Sequence, residues 1–107
     1  MANNYKNSKV DLTTTNITTL YTAPSATQTV VKSILVSNDS GSDDTVTLTI
    51  TDSASAIFSV YKNEEVGALS SKELLSQPLI VMESEILKVT AATAGRLHVV
   101  ASYLEIT

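Results

Sequence analysis

The chain contains one histidine, His98, and this residue decides how much acid–base catalysis the sequence can support. Serine and aspartate are common, so residue counts alone do not exclude a Ser-His-Asp arrangement. No Gly-x-Ser-x-Gly nucleophile elbow is present, however, and the three glycines are isolated. A single histidine on a predicted strand among valines is more often a packed or interfacial residue than a general base. We therefore predict no catalytic residues and no enzymatic activity.

Two acidic clusters have the residue types for metal binding or glycoside hydrolysis. One predicted turn carries Asp39, Asp43 and Asp44, and calcium prefers such carboxylate oxygens. Their spacing does not match the twelve-residue calcium loop with its closing Glu, so carboxylates that bond their own turn backbone are the alternative. Glu83 and Glu85 have the i, i+2 spacing of one strand face, whereas glycosidase carboxylates lie on separate elements, so we expect a solvated turn instead. The three aspartates are the one calcium candidate, and we predict no cofactor.

Composition bears on the other classes of ligand. Seven Lys and Arg against eleven Asp and Glu give a net charge of −4, and the dispersed cations predict no direct nucleic-acid partner. We expect neither a secretory signal nor a membrane partner, because no apolar run approaches the roughly 20 residues of a membrane span. Cysteine is absent, which excludes disulfides and thiolate metal sites. A glycan site on one of the four tyrosines is an alternative, although tryptophan is absent.

The elements that position these residues are predicted to be β-strands. Thr occurs 15 times, Val 11 times and Ile 7 times, and these stiff side chains favour the pleated surface of a sheet. Short apolar stretches alternate with turn signals from Val10 onward, which predicts one all-β domain over residues 10–107. We expect an antiparallel β-sandwich, or a jelly-roll-like variant, of about seven to nine short strands. The predicted strands cover residues 10–12, 17–22, 29–37, 45–51, 56–62, 78–82, 86–90 and 96–106. One turn of helix over residues 70–75 is an alternative for that segment.

Residues 1–9 have one large apolar side chain after the initiator methionine, Tyr5, among Asn, Lys and Ser. This composition predicts a polar N-terminal arm rather than an element of the core. Polar termini are usually disordered unless something holds them. We therefore expect a neighbouring subunit or partner to hold the arm, with Tyr5 as its main anchor.

The last predicted strand is apolar on both faces. One face carries Leu97, Val99, Ala101 and Tyr103. The other carries Val100, Leu104 and Ile106. Only one face of a strand meets the core of a two-sheet sandwich, so the other face requires cover. We predict homo-oligomerisation through this strand, with a loop such as residues 70–77 folded over the face as the alternative.

Five segments of the chain resemble small virion proteins of tailed bacteriophages. They are LYTAP (20–24), VVKSILVSN (30–38), SGSDDTVTLTIT (40–51), PLIVMESEILKVTAAT (78–93) and RLHVVASYLEI (96–106). The resemblance covers about residues 17–106, with one departure: those proteins commonly have a Gly-Asp turn where this chain has Glu83-Ser84-Glu85. It implies a non-enzymatic β-sandwich that binds other virion proteins.

This resemblance also implies a role and a location. Such proteins serve as capsid decoration (cement) proteins, which makes the major capsid protein the first partner to expect, on the outer surface of the capsid. Neck, tail or fibre components are the alternative within the same class. Capsid lattices offer three-fold sites, so a homotrimer is the expected oligomer. A free glycan- or cell-surface-binding module is the alternative from a different class.

Overall fold

The computed structural model describes residues 3–107 as two antiparallel sheets packed into a β-sandwich. The nine strands are β1 (Asn3–Asp11), β2 (Thr18–Thr22), β3 (Gln28–Asn38), β4 (Asp44–Thr51), β5 (Ile57–Val66), β6 (Ser71–Glu73), β7 (Leu79–Val81), β8 (Ile86–Ala91) and β9 (Leu97–Ile106). The five-stranded sheet has the order β1-β9-β3-β6, with β7 also paired to β3, and the four-stranded sheet has the order β2-β8-β4-β5. The prediction of an all-β sandwich is confirmed. No helix within residues 3–107 is long and apolar enough to cross a membrane.

The core lies between the two sheets and follows from the alternation of side chains along each strand. On β4, Val46 and Leu48 are fully buried while the alternating Thr45, Thr47 and Thr49 are half-buried on the other face. β8 shows the same pattern, with Leu87 and Val89 buried. Successive side chains of a strand point to opposite faces, so each strand contributes every second residue to the core.

Residues 3–9 form most of β1, which corrects the expectation of a polar arm held by a neighbouring subunit or partner. β1 pairs with β9 in antiparallel register from Asn3 opposite Ile106 to Asp11 opposite His98. Its own chain therefore holds the backbone of this segment. The physical reason is that a strand needs partners for its N–H and C=O groups whatever its side chains are, and β9 offers a free edge. Residues 1 and 2 of the predicted arm lie outside the described residues.

The segment around residues 70–77 is a strand rather than a turn of helix. Ser71–Glu73 form β6, which pairs with β3 and continues the sheet at its edge. The next residue, Leu74, is buried in the core, and its N–H donates to the carbonyl of Ile34 at 2.9 Å. Since Ser71–Glu73 extend the sheet sideways and Leu74 turns inward, this segment does not fold over the outer face of β9 as the alternative required.

Candidate interaction surface

Four apolar side chains form one row across the outer face of the five-stranded sheet. Ile80 lies opposite Val30, Val30 lies opposite Leu104, and Leu104 lies opposite Tyr5. Side chains directly opposite each other on antiparallel strands have Cβ atoms about 4.5–5.5 Å apart, close enough to contact. Tyr5 is 76% exposed and Ile80 is 50% exposed, with the half-buried Val30 and Leu104 between them. We call Tyr5, Leu104, Val30 and Ile80 the apolar row.

β9 supplies the centre of this surface because both faces of the strand carry apolar side chains. Its inward side chains are buried in the core: Leu97, Val99, Ala101 and Tyr103. Its outward residues Val100, Leu104 and Ile106 are half-buried on the outer face, which Tyr5 shares. The structure thus places on one face the four residues that the sequence singled out as interface candidates: Tyr5, Val100, Leu104 and Ile106. Their role in an interface stays a prediction.

A second row crosses the same face. It is separated from the apolar row by the polar pair Asn7 and Ser102. Lys9 lies opposite Val100, Val100 lies opposite Leu35, and Leu35 lies opposite Glu73. We call Lys9, Val100, Leu35 and Glu73 the mixed row, because a cation lies at the β1 edge and an anion at the β6 edge. The carboxylate of Glu73 is held in place by the backbone N–H of Ile34 at 2.8 Å and by the hydroxyl of Ser33.

The outer face of the four-stranded sheet has the opposite character. One row across it consists of Thr19, Lys88, Thr49 and Ser59. Thr47 on the same face bonds Asn63, whose backbone N–H lies 3.1 Å from the threonine hydroxyl. The next row along this face adds two isoleucines, Ile86 and Ile57, and Ile57 is 64% exposed. Hydroxyl groups therefore predominate on this face, whereas the row of four apolar side chains lies on the five-stranded face.

A buried polar cluster closes the sandwich between β1, β9 and β2. Glu105 lies on the core face of β9 and is 5% exposed. Its carboxylate lies 2.8 Å from the ammonium of Lys6 and accepts a hydrogen bond from the hydroxyl of Tyr21 at 2.5 Å. The Tyr21 oxygen also lies 2.8 Å from the Thr29 hydroxyl. The ring of Tyr21 packs on the ring of Tyr103, with 4.3 Å between the centroids. A buried carboxylate is stable only when paired, so Lys6 ties β1 specifically to this site.

This cluster shifts the ionisation of its members. The hydrogen bond from Lys6, followed by that from Tyr21, holds the pKa of Glu105 below its usual value. Burial raises the pKa of the Tyr21 phenol, and its bond to Glu105 raises it further. The same ion pair raises the pKa of Lys6. At neutral pH the cluster therefore holds one carboxylate, one ammonium and one neutral phenol. This arrangement stabilises the pairing of β1 with β9.

Sequence reasoning missed Glu105, although one signal was available. Glu105 follows Tyr103 by two residues and so continues the inward phase of β9. A carboxylate in that phase predicts a buried partner. The sequence does not show that this partner is Lys6, about a hundred positions away, because the pairing of β1 with β9 decides it.

The structure does not bring Asp39, Asp43 and Asp44 together as calcium ligands. Asp39 lies beside His98, and Asp43 accepts a hydrogen bond at 2.8 Å from the backbone N–H of Ala68, in the loop between β5 and β6. Asp44 is buried and accepts bonds from two backbone N–H groups at 2.8 and 3.2 Å. Within residues 3–107 no group of three acidic or histidine side chains is placed to hold a metal ion. The alternative, carboxylates that bond their own turn backbone, holds only for the bond from Thr45 to Asp44, because the N–H groups of Ala68 and Thr93 belong to two other loops.

His98 lies on the outer face of β9 between two exposed carboxylates. Its Nε2 is 3.3 Å from Asp11 and its Nδ1 is 3.8 Å from Asp39. The other acidic pair, Glu83 and Glu85, lies in the turn between β7 and β8, as expected. Glu83 accepts from the N–H of Ala26 at 2.5 Å, and Glu85 accepts from that of Met82 at 2.7 Å.

The comparisons with known proteins identify the fold. No family model and no curated protein matches the sequence. A chain in the structure of infectious bursal disease virus Gx strain is 13% identical, with a TM-score of 0.53 over 96% of this chain. A chain of the Gt strain is 11% identical, with a TM-score of 0.51 over 98% of this chain. This chain spans 28% and 30% of those chains, and at such identities the likeness shows a shared fold.

Proposed function

We propose that this protein is a non-enzymatic structural protein of a virus particle that acts by binding other protein chains. The observation that carries the proposal is the apolar row on one outer face of a sandwich whose other outer face is rich in hydroxyl groups. A contiguous exposed apolar patch rimmed by polar residues marks a protein contact site. The likeness in fold to chains of infectious bursal disease virus structures supports the particle as the setting.

Within that class we propose a capsid decoration protein, located on the outer surface of the capsid, with the major capsid protein as partner. This assignment rests on the resemblance to small virion proteins of tailed bacteriophages, which also suggests a homotrimer at three-fold sites. The net charge of −4 supports an outward-facing position, because packaged DNA repels an acidic protein. A neck, tail or fibre component is the alternative.

Quantitative mass spectrometry of purified particles tests this proposal. A decoration protein is expected at hundreds of copies, in simple proportion to the major capsid protein. A count of about six or twelve copies would instead match the cyclic symmetry of a neck or tail component. Absence of the protein from particles purified to constant composition would overturn the virion role itself.

A further inference from the structure

We infer that a second copy of this chain packs on the outer face of the five-stranded sheet, in a cyclic assembly whose axis runs parallel to the strands. The inference rests on the proposed function, because it names a partner for the surface that the function uses. In such an assembly the β1 edge of one copy meets the β6 and β7 edge of the next. The residues at the two edges therefore have to match.

The two edges do match, row by row. Rotation about an axis parallel to the strands leaves each residue at its own height, so the apolar row meets the apolar row of the neighbour. Tyr5 at the β1 edge then meets Ile80 at the β7 edge of the next copy. In the mixed row, Lys9 meets Glu73 in the same way, which places a cation beside an anion. Opposite charges at matched positions fix the register of an interface.

The area of the face is sufficient for a stable contact. The ten residues of β9 extend about 34 Å, and four strands about 4.8 Å apart make a face about 19 Å wide. Its area is therefore about 650 Å², so two copies packed face to face bury about 1,300 Å². In a trimer each face is divided between two neighbours, which gives about 650 Å² per contact and about 1,950 Å² for the whole assembly. Stable specific interfaces bury about 1,200–2,000 Å² in total, so a dimer lies at the lower end of that range and a trimer reaches it over its three contacts together.

Three copies close around such an axis with little space at its centre. The outer strands of the face lie about 14 Å apart, and neighbouring edge strands need about 4.8 Å between them, so the copies form a triangular prism with sides about 24 Å wide that lie about 7 Å from the axis. Sheets that pack face to face lie about 10 Å apart, so each contributes side chains that reach about 5 Å. The apolar rows of three copies then line one layer of the prism and leave a radius of about 2 Å around the axis. The geometry agrees with the trimer proposed above.

A disulfide between copies tests the inference directly, because the chain has no cysteine of its own. Tyr5→Cys and Ile80→Cys are made in separate chains, one of them tagged, and the chains are mixed and oxidised. Within one chain these positions are three strand spacings apart, about 14 Å, and no disulfide spans that distance. The inference predicts a disulfide-linked pair made of one chain of each variant.

A matched control uses the opposite face. Thr19 and Ser59 lie at the two ends of a row across four strands, with the same spacing as Tyr5 and Ile80. Thr19→Cys mixed with Ser59→Cys is expected to give little linked product under the same conditions. If the pair of positions 5 and 80 links no more efficiently than this control, the inference is wrong.

A second measurement follows the assembly in solution by sedimentation and light scattering. Leu104→Asp is expected to raise the dissociation constant at least tenfold, because it removes one buried leucine from each copy. Thr49→Asp, on the hydroxyl face, is the control and is expected to leave assembly unchanged. Circular dichroism establishes that each variant is folded, and Ile80→Asp replaces Leu104→Asp if the latter is not.

The outcomes separate this inference from the proposed function. A wild-type protein that stays monomeric at high micromolar concentration but is found in particles overturns the inference and leaves the function standing. An oligomer linked through positions 5 and 80 but absent from particles supports the inference and overturns the function. A dimer with the same linkage supports the shared face and corrects the number of copies to two.

Discussion

Removal of the Tyr21 hydroxyl is expected to destabilise the protein more than removal of the Tyr103 hydroxyl. The two rings are in contact, but their hydroxyl groups have different partners. The Tyr21 hydroxyl donates to the buried carboxylate of Glu105 at 2.5 Å, whereas the Tyr103 oxygen lies 2.9 Å from the hydroxyl of Ser8 on the edge strand. A hydrogen bond to a charged group contributes about 1.5–3 kcal/mol, and one between neutral groups about 0.5–1.5 kcal/mol. We therefore expect a cost of about 2 kcal/mol for Tyr21→Phe and about 1 kcal/mol for Tyr103→Phe.

Urea unfolding at neutral pH, followed by circular dichroism, measures the difference in the free energy of unfolding. Thermal unfolding gives a second readout. In a chain of about a hundred residues, 1 kcal/mol corresponds to roughly 4–8 °C in Tm, so Tyr21→Phe is expected to lower Tm by about 8–16 °C. All variants are compared at one protein concentration, because assembly contributes to apparent stability. If Tyr103→Phe costs as much as Tyr21→Phe, the hydrogen bond to the buried carboxylate contributes no more to stability than the neutral one does.

Three further predictions concern other parts of the molecule. Leu12→Ala, at a fully buried residue, is expected to cost about 2–5 kcal/mol by urea unfolding, whereas Ile17→Ala, at an exposed one, stays within about 0.5 kcal/mol. The pKa of Glu105 is lowered on folding, so its stabilising contribution is present above about pH 4.5 and is lost as the pH falls through the folded-state value. Glu105→Gln should remove that part of the acid dependence, and an unchanged acid transition would contradict it. Finally, the purified protein is expected to show no hydrolase or transferase turnover, and a turnover abolished by His98→Ala would refute this.

The sequence by itself determined where most strands lie and which side chains of a strand share a face. The predicted strand 45–51 corresponds to β4, Asp44–Thr51, because threonines alternate with Val46, Leu48 and Ile50. In β9 the alternation correctly separated the buried Leu97 and Val99 from the outward Val100 and Leu104. Such alternation is a local property with a period of two residues, and the sequence carries it in full.

Only the tertiary structure decided which strands are neighbours. The polar residues 3–9 carry no strand pattern, and they form a strand because β9 offers an edge. Lys6 reaches Glu105, and Ile80 joins Val30 and Leu104 in one row, through pairings between segments far apart in the chain. The buried carboxylate and the apolar row both depend on that register. Register results from the packing of the whole sandwich, because a shift of one residue would turn every buried side chain of a strand toward solvent.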